Sequence, residues 1–450
     1  MIIDESTVKD GINETSMPLL SKLIDRHMHQ KERYRRLGDY YRGKHVILDR
    51  QRSSQGVANN RVVCNHAKYI VDMSAAYLVG NKVTYTADDG YDITPLINEY
   101  DTQDIANLDN DIVKSMGIFS RGYELVYADE NSKPRSVMID AENCFVVYSA
   151  TAQKTPLFGV YYYKKYDVDG NCIGIVCYVY DSYTIYTFES VQDNWQSMTL
   201  TNKVPHYFGG VPLIEYENNR ECQGDFEQLI PLIDAYNVLQ SDRINDKEQF
   251  VDAFLFLSGI DLDSEQAKKL REERILMGYE GANARYLDKI MRENDIEILK
   301  NSIKEDIHRF SQVPDLSDEA FAGNLSGVAI KYKLMGFEQS TKNKERYFAK
   351  SLKKRLELYI NFLSLTKSME KIPVHKIDIT FTRNLPVNEL EVSQMIQNLT
   401  GVVTNETLLT QLSFVSDPKE ENAKLSKERE EKSVSRIREV EEMAAGGMWQ

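Results

Sequence analysis

The stretch that decides the fold begins as Pro314-Asp-Leu-Ser-Asp-Glu-Ala-Phe-Ala-Gly-Asn-Leu-Ser-Gly327 and then continues without a proline from Val328 to Pro373. Its first part predicts a loop, because proline, glycine, asparagine, serine and aspartate are the residues that turns prefer. Its second part predicts one very long helix that runs to Thr366, because strong helix formers dominate it. Such a helix would span roughly 60 Å at about 1.5 Å per residue.

Apolar residues recur at helical spacing at both ends of this predicted helix, whereas residues 338–346 between them are almost wholly polar. The apolar positions are Leu325, Val328, Ala329 and Tyr332 at one end and Phe348, Leu352, Leu356, Tyr359, Ile360 and Leu363 at the other. Globular helices usually run about 8–20 residues. A longer helix with two apolar ends indicates a spine that joins two separate cores.

The composition is that of a soluble protein with two to four domains: 450 residues, 42% hydrophobic and 28% charged. The formal net charge of −14 argues against a generic nucleic-acid clamp, which would carry a basic surface. The five cysteines are scattered without zinc-ligand spacing, which favours a reduced cytosolic protein. The N-terminus has no signal-peptide features, and the most apolar run, residues 250–260, is too short to span a bilayer.

Sequence signatures of catalysis are missing. We find no phosphate-binding loop, no dinucleotide fingerprint and no nucleophile elbow, so we predict no enzyme activity and no cofactor. We also predict no metal site, since His27 and His29 would lie on different faces of a helix. Residues 167–171 favour a hairpin turn over a calcium loop, because the required glutamate does not follow.

The order of elements predicts an α+β protein. Helices are predicted at residues 16–41 and 62–78, and from residue 82 to about 217 the hydrophobic period changes to two. The predicted strands are rich in β-branched and aromatic residues: Tyr123–Tyr127, Ser136–Ile139, Phe145–Tyr148, Val160–Tyr166, Ile173–Tyr180 and Thr184–Phe188.

A helical hairpin is predicted next. Helical spacing resumes near Asp225 and continues to Gly259, although Pro231 is a flaw in this assignment. A compact, charge-rich insert follows at 260–298, with a short helix at 265–274 between strand-like pieces, and a helix returns at 299–310. The hairpin would therefore carry a miniature domain at its tip.

After the long helix, a strand is predicted at 377–381, helices at 388–401 and 406–415, and a charged, solvated or frayed helical tail from 417. Disorder of the tail is the alternative. A basic run on the spine most simply forms a solvated face or pairs with neighbouring subunits, with DNA contact as the alternative: Lys342, Lys344, Arg346, Lys350, Lys353, Lys354 and Arg355.

Four blocks, in order, resemble tailed-phage portal proteins of the SPP1-like type. They are Tyr40-Tyr-Arg-Gly-Lys-His45 with residues 59–72 and Gly80-Asn81, residues 225–242, residues 321–333, and Phe381-Thr-Arg-Asn-Leu-Pro386 with Thr407. The resemblance covers residues from about 40 to 415. The insert 260–298 and the tail after 417 have no recognisable match.

The resemblance implies a ring, usually dodecameric, at one capsid vertex, through which double-stranded DNA is packaged and ejected. The implied partners are the terminase large subunit, the head–tail adaptor, and the major capsid and scaffold proteins, with no membrane. The protein would be part of the virion and would assemble in the host cytoplasm. The implied parts are wing 1–224, stem 225–259 and 299–313, clip 260–298, tunnel loop 314–327, spine 328–376, and crown with tail 377–450.

Two sets of site residues follow from the same resemblance. The tunnel-loop set, at the narrowest part of the channel, is Ser317, Asp318, Glu319, Phe321, Asn324, Leu325 and Ser326. The clip set, for terminase and adaptor, is Lys268, Lys269, Arg271, Glu272, Arg285 and Asp288. The loop set contains no basic residue, which suits sliding DNA, because each phosphate contact adds affinity and hence friction.

Two alternatives stay open at this point. One is a non-portal ring-forming structural or adaptor protein built on a helical hairpin. The other is an enzyme with an unrecognised site.

Overall fold

The computed structural model describes residues 1–9, 11–51, 58–88, 90–251, 254–258, 283–287, 293–316, 327–383, 389–412, 415 and 417–428. The described chain is an α+β protein, as predicted. Its helices are α1 Met17–Tyr41, α2 His66–Val79, α3 Thr94–Thr102, α4 Ile105–Phe119, α5 Ile230–Val251, α6 Glu293–Ser311, α7 Gly327–Lys333, α8 Met335–Leu365, α9 Glu389–Leu399 and α10 Asn405–Leu409.

The described strands form four sheets. They are β1 Ile2–Ile3, β2 Thr84–Ala87, β3 Arg121–Ala128, β4 Pro134–Ile139, β5 Cys144–Ser149, β6 Pro156–Tyr166, β7 Cys172–Tyr180, β8 Thr184–Ser190, β9 Thr199–Pro205, β10 Leu213–Glu217, β11 Phe254–Ser258, β12 Asn283–Leu287 and β13 Ile377–Thr380. The largest sheet has the order β1-β5-β6-β7-β8-β9, with a parallel β1–β5 pair, and a second has the order β10-β3-β4. The other two are the pairs β11–β12 and β13–β2.

The helix α1 covers one face of the six-stranded sheet, and its prediction is confirmed. Leu20, Leu23 and Ile24 are buried against alternate residues of β5 to β8, since side chains on one face of a strand recur every second position. The predicted hairpin turn is also confirmed: the backbone N–H of Asp167 donates to the carbonyl of Asn171 at 3.0 Å, between β6 and β7.

The prediction of period-two structure throughout residues 82–217 is wrong for α3 and α4. Ile112, Val113 and Met116 of α4 are buried at helical spacing in the core that also receives α8. Polar residues in the preceding turn of the same helix, such as Asp109 and Asn110, obscured that spacing in the sequence. The predicted strands are confirmed, and β2, β9 and β10 are further described strands in this region.

The predicted hairpin is a pair of helices, α5 and α6, with the β11–β12 pair between them in the chain. The prediction that helix continues to Gly259 is wrong, because residues 254–258 are β11, paired antiparallel with β12 in the register Phe256↔Arg285. A short apolar run can be helix or strand, and here the partner strand decides. Pro231 lies in the first turn of α5, where a missing N–H costs little. The helix α6 begins at Glu293, earlier than predicted, and the helix predicted at 265–274 lies outside the described residues.

The spine is an interrupted helix. A one-residue turn at Leu334 separates α7 from α8. The helix α8 ends at Leu365, earlier than the predicted end of the spine at residue 376. The rest of the predicted range contains a short 3-10 turn, Val374–Lys376. The spine contributes to two cores, as predicted, but Tyr332 of the predicted first apolar end is 73% exposed and Phe337 takes its place in the core. Phe337 packs with residues of α2, α5 and α6, whereas Phe348 and the apolar residues after it pack with α4 and β10.

The strand that follows the spine pairs with a strand of the N-terminal part of the chain. The predicted strand at 377–381 is confirmed as β13, which pairs with β2 in the predicted wing. The helix α10 ends at Leu409, earlier than predicted, and residues 418–428 are helical. The proposed cap Asn388 lies outside the described residues. Within the described chain, every helix is too short or too polar to cross a lipid bilayer.

Candidate functional site

The two predicted sets of site residues lie almost wholly outside the described residues. This applies to the whole tunnel-loop set, Ser317, Asp318, Glu319, Phe321, Asn324, Leu325 and Ser326, and to Lys268, Lys269, Arg271, Glu272 and Asp288 of the clip set. Arg285 lies on β12, opposite Phe256. The roles of these residues stay predictions. The candidate site is therefore built from the described segments that lead into them.

The chain that leaves α6 is fastened to α2 by the hydroxyl of Tyr69. This hydroxyl donates to the carbonyl of Pro314 at 2.8 Å and accepts from the backbone N–H of Leu316 at 3.3 Å. One residue earlier, the carbonyl of Val313 accepts a hydrogen bond from Nδ1 of His308 at 2.9 Å. Val313 and the first residues of the predicted tunnel loop, 314–316, are thus held in place by side chains of two helices.

A second histidine, His66, packs against His308 at this point. The ring of His66, at the start of α2, lies edge-on to the rings of Tyr236 and His308, with centroid distances of 4.9 Å and 5.8 Å. Burial, assisted by the neighbouring His308, lowers the pKa of His66 to about 4. The His66 imidazole is therefore neutral at pH 7 and packs as an aromatic ring where α2, α5 and α6 meet.

A ladder of polar side chains on α5 binds the extended segment 59–64. Three side chains spaced four residues apart accept hydrogen bonds from alternate backbone N–H groups of that segment. The rungs join Asn237 to Cys64 (2.8 Å), Ser241 to Val62 (3.0 Å) and Asn245 to Asn60 (2.6 Å). Four helical residues rise about 6.0 Å and two extended residues about 6.6 Å, so the two spacings match.

This ladder fixes the position of α5 along its own axis relative to the segment 59–64. All three acceptor side chains are buried, so their oxygens depend on the N–H groups of the segment as hydrogen-bond partners. The side chain of Asn237 also donates to Nδ1 of His45 at 2.8 Å, and Nε2 of His45 contacts the carbonyl of Tyr40 at 2.9 Å. The ladder is thereby continued to the end of α1.

An ion pair connects the spine to the segment that precedes α5. Nζ of Lys344 lies 2.7 Å from the carboxylate of Asp225, which also accepts a hydrogen bond from the side chain of Asn218 at 2.9 Å. The backbone N–H of Asp225 donates to the carbonyl of Gly117 at 2.7 Å. A Cβ on Gly117 would lie 2.6 Å from that carboxylate, so a larger residue there would displace the Asp225 side chain from this position.

A buried charge cluster anchors the middle of α8. Arg355 is fully buried and donates to Asp109 at 2.7 Å and to Glu124 at 2.8 Å and 2.9 Å. The hydroxyl of Tyr216 donates to the Glu124 carboxylate as well. Burial raises the pKa of Asp109 to about 6, in opposition to the attraction of Arg355. Such a cluster holds the helix in one register, because any shift would leave a buried charge unpaired.

These contacts correct the interpretation of the basic run. A solvated face was predicted, and this is wrong for Lys344 and Arg355, which are buried and paired with carboxylates. Lys354 is half-buried over the ring of Tyr148, and burial lowers its pKa. The remaining cations of the run are exposed, as predicted: Lys342, Arg346, Lys350 and Lys353.

His27 is a core residue. Its Nδ1 lies 2.7 Å from the hydroxyl of Tyr162, and burial lowers its pKa to about 3. Among the residues that the structure describes, no cluster of three histidine, cysteine or carboxylate side chains is arranged to hold a metal ion.

Comparison with known families identifies the chain at this point. A family model described as phage portal protein, SPP1 Gp6-like, matches residues 20–435. The chain belongs to this portal family. A portal protein of Bacillus phage SPP1 is 25% identical over 95% of this chain and 89% of its own length. A portal protein of Clostridium phage phiCD119 is 22% identical over 87% of this chain and 90% of its own length.

Solved structures of phage-like particles also match. The neck of an empty GTA particle, computed with C6 symmetry, is 13% identical with a TM-score of 0.45, over 77% of this chain and 88% of that chain. The neck of a native GTA particle, computed with C12 symmetry, is 12% identical with a TM-score of 0.40, over 76% of this chain and 87% of that chain.

The blocks that carry the portal resemblance contact one another in the structure. The hydroxyl of Tyr40, from the first block, donates to the carboxylate of Asp234, from the second, at 2.9 Å. The guanidinium of Arg383, from the last block, lies 3.1 Å from Glu338 and 2.6 Å from Glu345, both on α8. These residues therefore join the segments of the portal fold to one another.

The sequence did not predict the polar residues that connect these segments to one another. The polar stripe Asn237, Ser241 and Asn245 was detectable as spacing of four on a helix, but its ligand is an extended segment about 180 positions earlier. Arg355 was detectable as a charge between the apolar positions Leu352 and Leu356. A charge inside an apolar stripe indicates a buried ion pair, although its partners cannot be read from the sequence.

Proposed function

We propose that this portal-family chain assembles into a dodecameric ring that forms a channel for double-stranded DNA at one vertex of a phage capsid. The observation that carries the proposal is the exposed apolar surface of α5 and α6 on a chain matched by a portal family over most of its length. The exposed residues on these two helices are Val238, Ile244, Ile298, Leu299 and Phe310.

The two helices are too thin to cover these residues themselves. Ile298 is 68% exposed and Phe310 is 56% exposed in the isolated chain. Large apolar side chains that stay exposed on several turns of a helix pair indicate a surface that a partner covers. A head-to-tail contact repeated around an axis would cover the same surface on every copy and close a ring around a central hole.

The charge of the chain supports passage of DNA without tight binding. Each phosphate contact contributes salt-dependent affinity, so a channel lined with cations would retain its cargo. The chain carries a formal net charge of −14, and residues 317–326 contain two carboxylates and no lysine or arginine. In this proposal Asp318 and Glu319 repel the phosphates, and Phe321 and Leu325 contact DNA without sequence preference.

We infer that the β11–β12 pair and the residues between its strands dock the terminase large subunit during packaging and the head–tail adaptor afterwards. The body of the chain would contact the major capsid and scaffold proteins. A phage portal protein is a component of the virion, and we infer that this one assembles in the host cytoplasm before it occupies the portal vertex. Its role would be structural.

The ring is tested by native mass spectrometry and electron microscopy of the purified full chain. We expect twelvefold rings with a central hole, and a monomer at micromolar concentration would contradict the proposal. The matched variants are Ile298→Ser on α6 and Val191→Ser on the turn after β8, both at exposed apolar positions. Only Ile298→Ser should weaken assembly.

Docking is tested by replacing residues 259–282 with a two-residue Asn-Gly turn. Ser258 and Asn283 are paired in the register of β11 and β12, so a two-residue turn can join the strands. We expect the variant to form rings that no longer capture a terminase large subunit in a pull-down. Rings of the unaltered chain that fail to capture terminase would favour a different ring-forming adaptor.

A further inference from the structure

One face of α8 carries cations that have no ion-pair partner among the described residues. Arg346 and Lys350 lie one helical turn apart, and both are exposed. Arg220, in the turn after β10, lines the same open cleft of about 550 Å³. Tyr347 lines it as well and adds a hydroxyl. With the carboxylate of Glu221 also in its lining, the cleft presents three positive charges against one negative charge, on a chain whose formal net charge is −14.

Neighbouring cations on α8 differ in that they are already neutralised. Nζ of Lys344 lies 2.7 Å from the carboxylate of Asp225, and Nζ of Lys342 lies 3.6 Å from that of Glu338. A positive surface that stays unpaired on an acidic chain attracts an anionic partner.

Both walls of the cleft are fixed before any partner arrives. On the β10 side, the side chain of Asn219 donates to the carbonyl of Gln223 at 2.8 Å and accepts from its backbone N–H at 2.9 Å. On the helix side, α8 is anchored by buried Phe348 and by Lys344. A preformed cleft loses less conformational entropy when it binds.

We propose that this cleft binds an acidic segment of a second copy of the chain, whose carboxylates meet Arg220, Arg346 and Lys350. The proposal rests on the proposed ring, which brings copies side by side. Charge complementarity favours this occupant, because each copy has 69 acidic residues against 55 basic ones. Guanidinium groups also bind carboxylates with two parallel hydrogen bonds, which gives the contact a defined orientation.

Duplex DNA fits the cleft less well. Its charges repeat about every 1.7 Å along the axis, so a bound duplex would extend beyond the three cations of the cleft. A polypeptide segment can place two or three carboxylates in the cleft and end at its rim.

The first test compares Lys350→Glu with Lys353→Glu in the full chain. Both lysines are exposed on α8, three positions apart, and only Lys350 lines the cleft. We expect Lys350→Glu to raise the concentration for half-maximal assembly by about tenfold, and Lys353→Glu to leave it unchanged. Arg346→Gln should act in the same direction as Lys350→Glu, with unaltered circular dichroism. Equal assembly of all four proteins would overturn the proposal.

The second test identifies the occupant. A zero-length carbodiimide is applied to rings mixed from ¹⁴N- and ¹⁵N-labelled chains, and cross-linked peptides are sequenced. We expect a mixed-isotope cross-link between Lys350 and an aspartate or glutamate. A Lys350 cross-link confined to one chain would overturn the proposal, as would weaker binding of a short DNA duplex by Lys350→Glu with assembly unchanged. Failure of the ring itself is distinct, because the unaltered chain would then be monomeric.

Discussion

The substitution Arg355→Met tests whether the buried charge cluster holds the spine to the body of the chain. Arg355 is fully buried and lies within 2.9 Å of two carboxylates, Asp109 and Glu124. Methionine keeps much of the volume but leaves both carboxylates without a counterion. Removal of one partner from a buried ion pair costs about 3–5 kcal/mol. We expect the free energy of unfolding to fall by that amount, as measured by urea titration at fixed protein concentration.

Two further variants separate charge from packing. Lys353→Met, on the same helix but exposed, should change the stability by no more than about 0.5 kcal/mol. Arg355→Met combined with Asp109→Asn and Glu124→Gln should recover at least half of the loss, because no unpaired charge is then buried. A loss in Arg355→Met as small as that of the Lys353 control would refute the reasoning. A triple variant no more stable than Arg355→Met would assign the cost to lost packing instead.

Three other predictions concern the polar contacts of Tyr69, Ser241 and Asp109. Tyr69→Phe removes one hydroxyl and should lower the local opening free energy at the Leu316 amide by about 1 kcal/mol, measured by hydrogen exchange; unchanged protection would contradict the contact. Ser241→Ala removes the acceptor of the partly buried Val62 N–H and should cost about 1 kcal/mol in urea titration, whereas a loss below about 0.5 kcal/mol would exclude the ladder as a major restraint. Because burial raises the pKa of Asp109 from 3.8 to about 6, the folded chain holds an extra proton between these values. The contribution of Asp109 to stability therefore falls as the pH rises from 4 to 6. Melting curves of Asp109→Asn should lack this component, and parallel pH profiles would contradict it.

Several elements of this portal chain could be predicted because their signal is local. The apolar stripe of α1, the alternation in β6 and β7 and the turn between them each repeat with the period of one element. The two apolar ends of the spine likewise predicted two cores. Local signals failed for β11, where a short apolar run fits either a helix or a strand, and for α4, where buried Asp109 lies among the apolar positions.

The sequence by itself determined the class of the fold, the long spine, and four blocks that resemble portal proteins. The tertiary structure decided which polar residues join these parts. Arg355 meets Asp109 across 246 positions, and the ladder of α5 meets a segment more than 170 positions earlier. Periodicity reports which face of an element is buried. It does not report which distant charge or backbone group will lie there, because that depends on how the elements pack together.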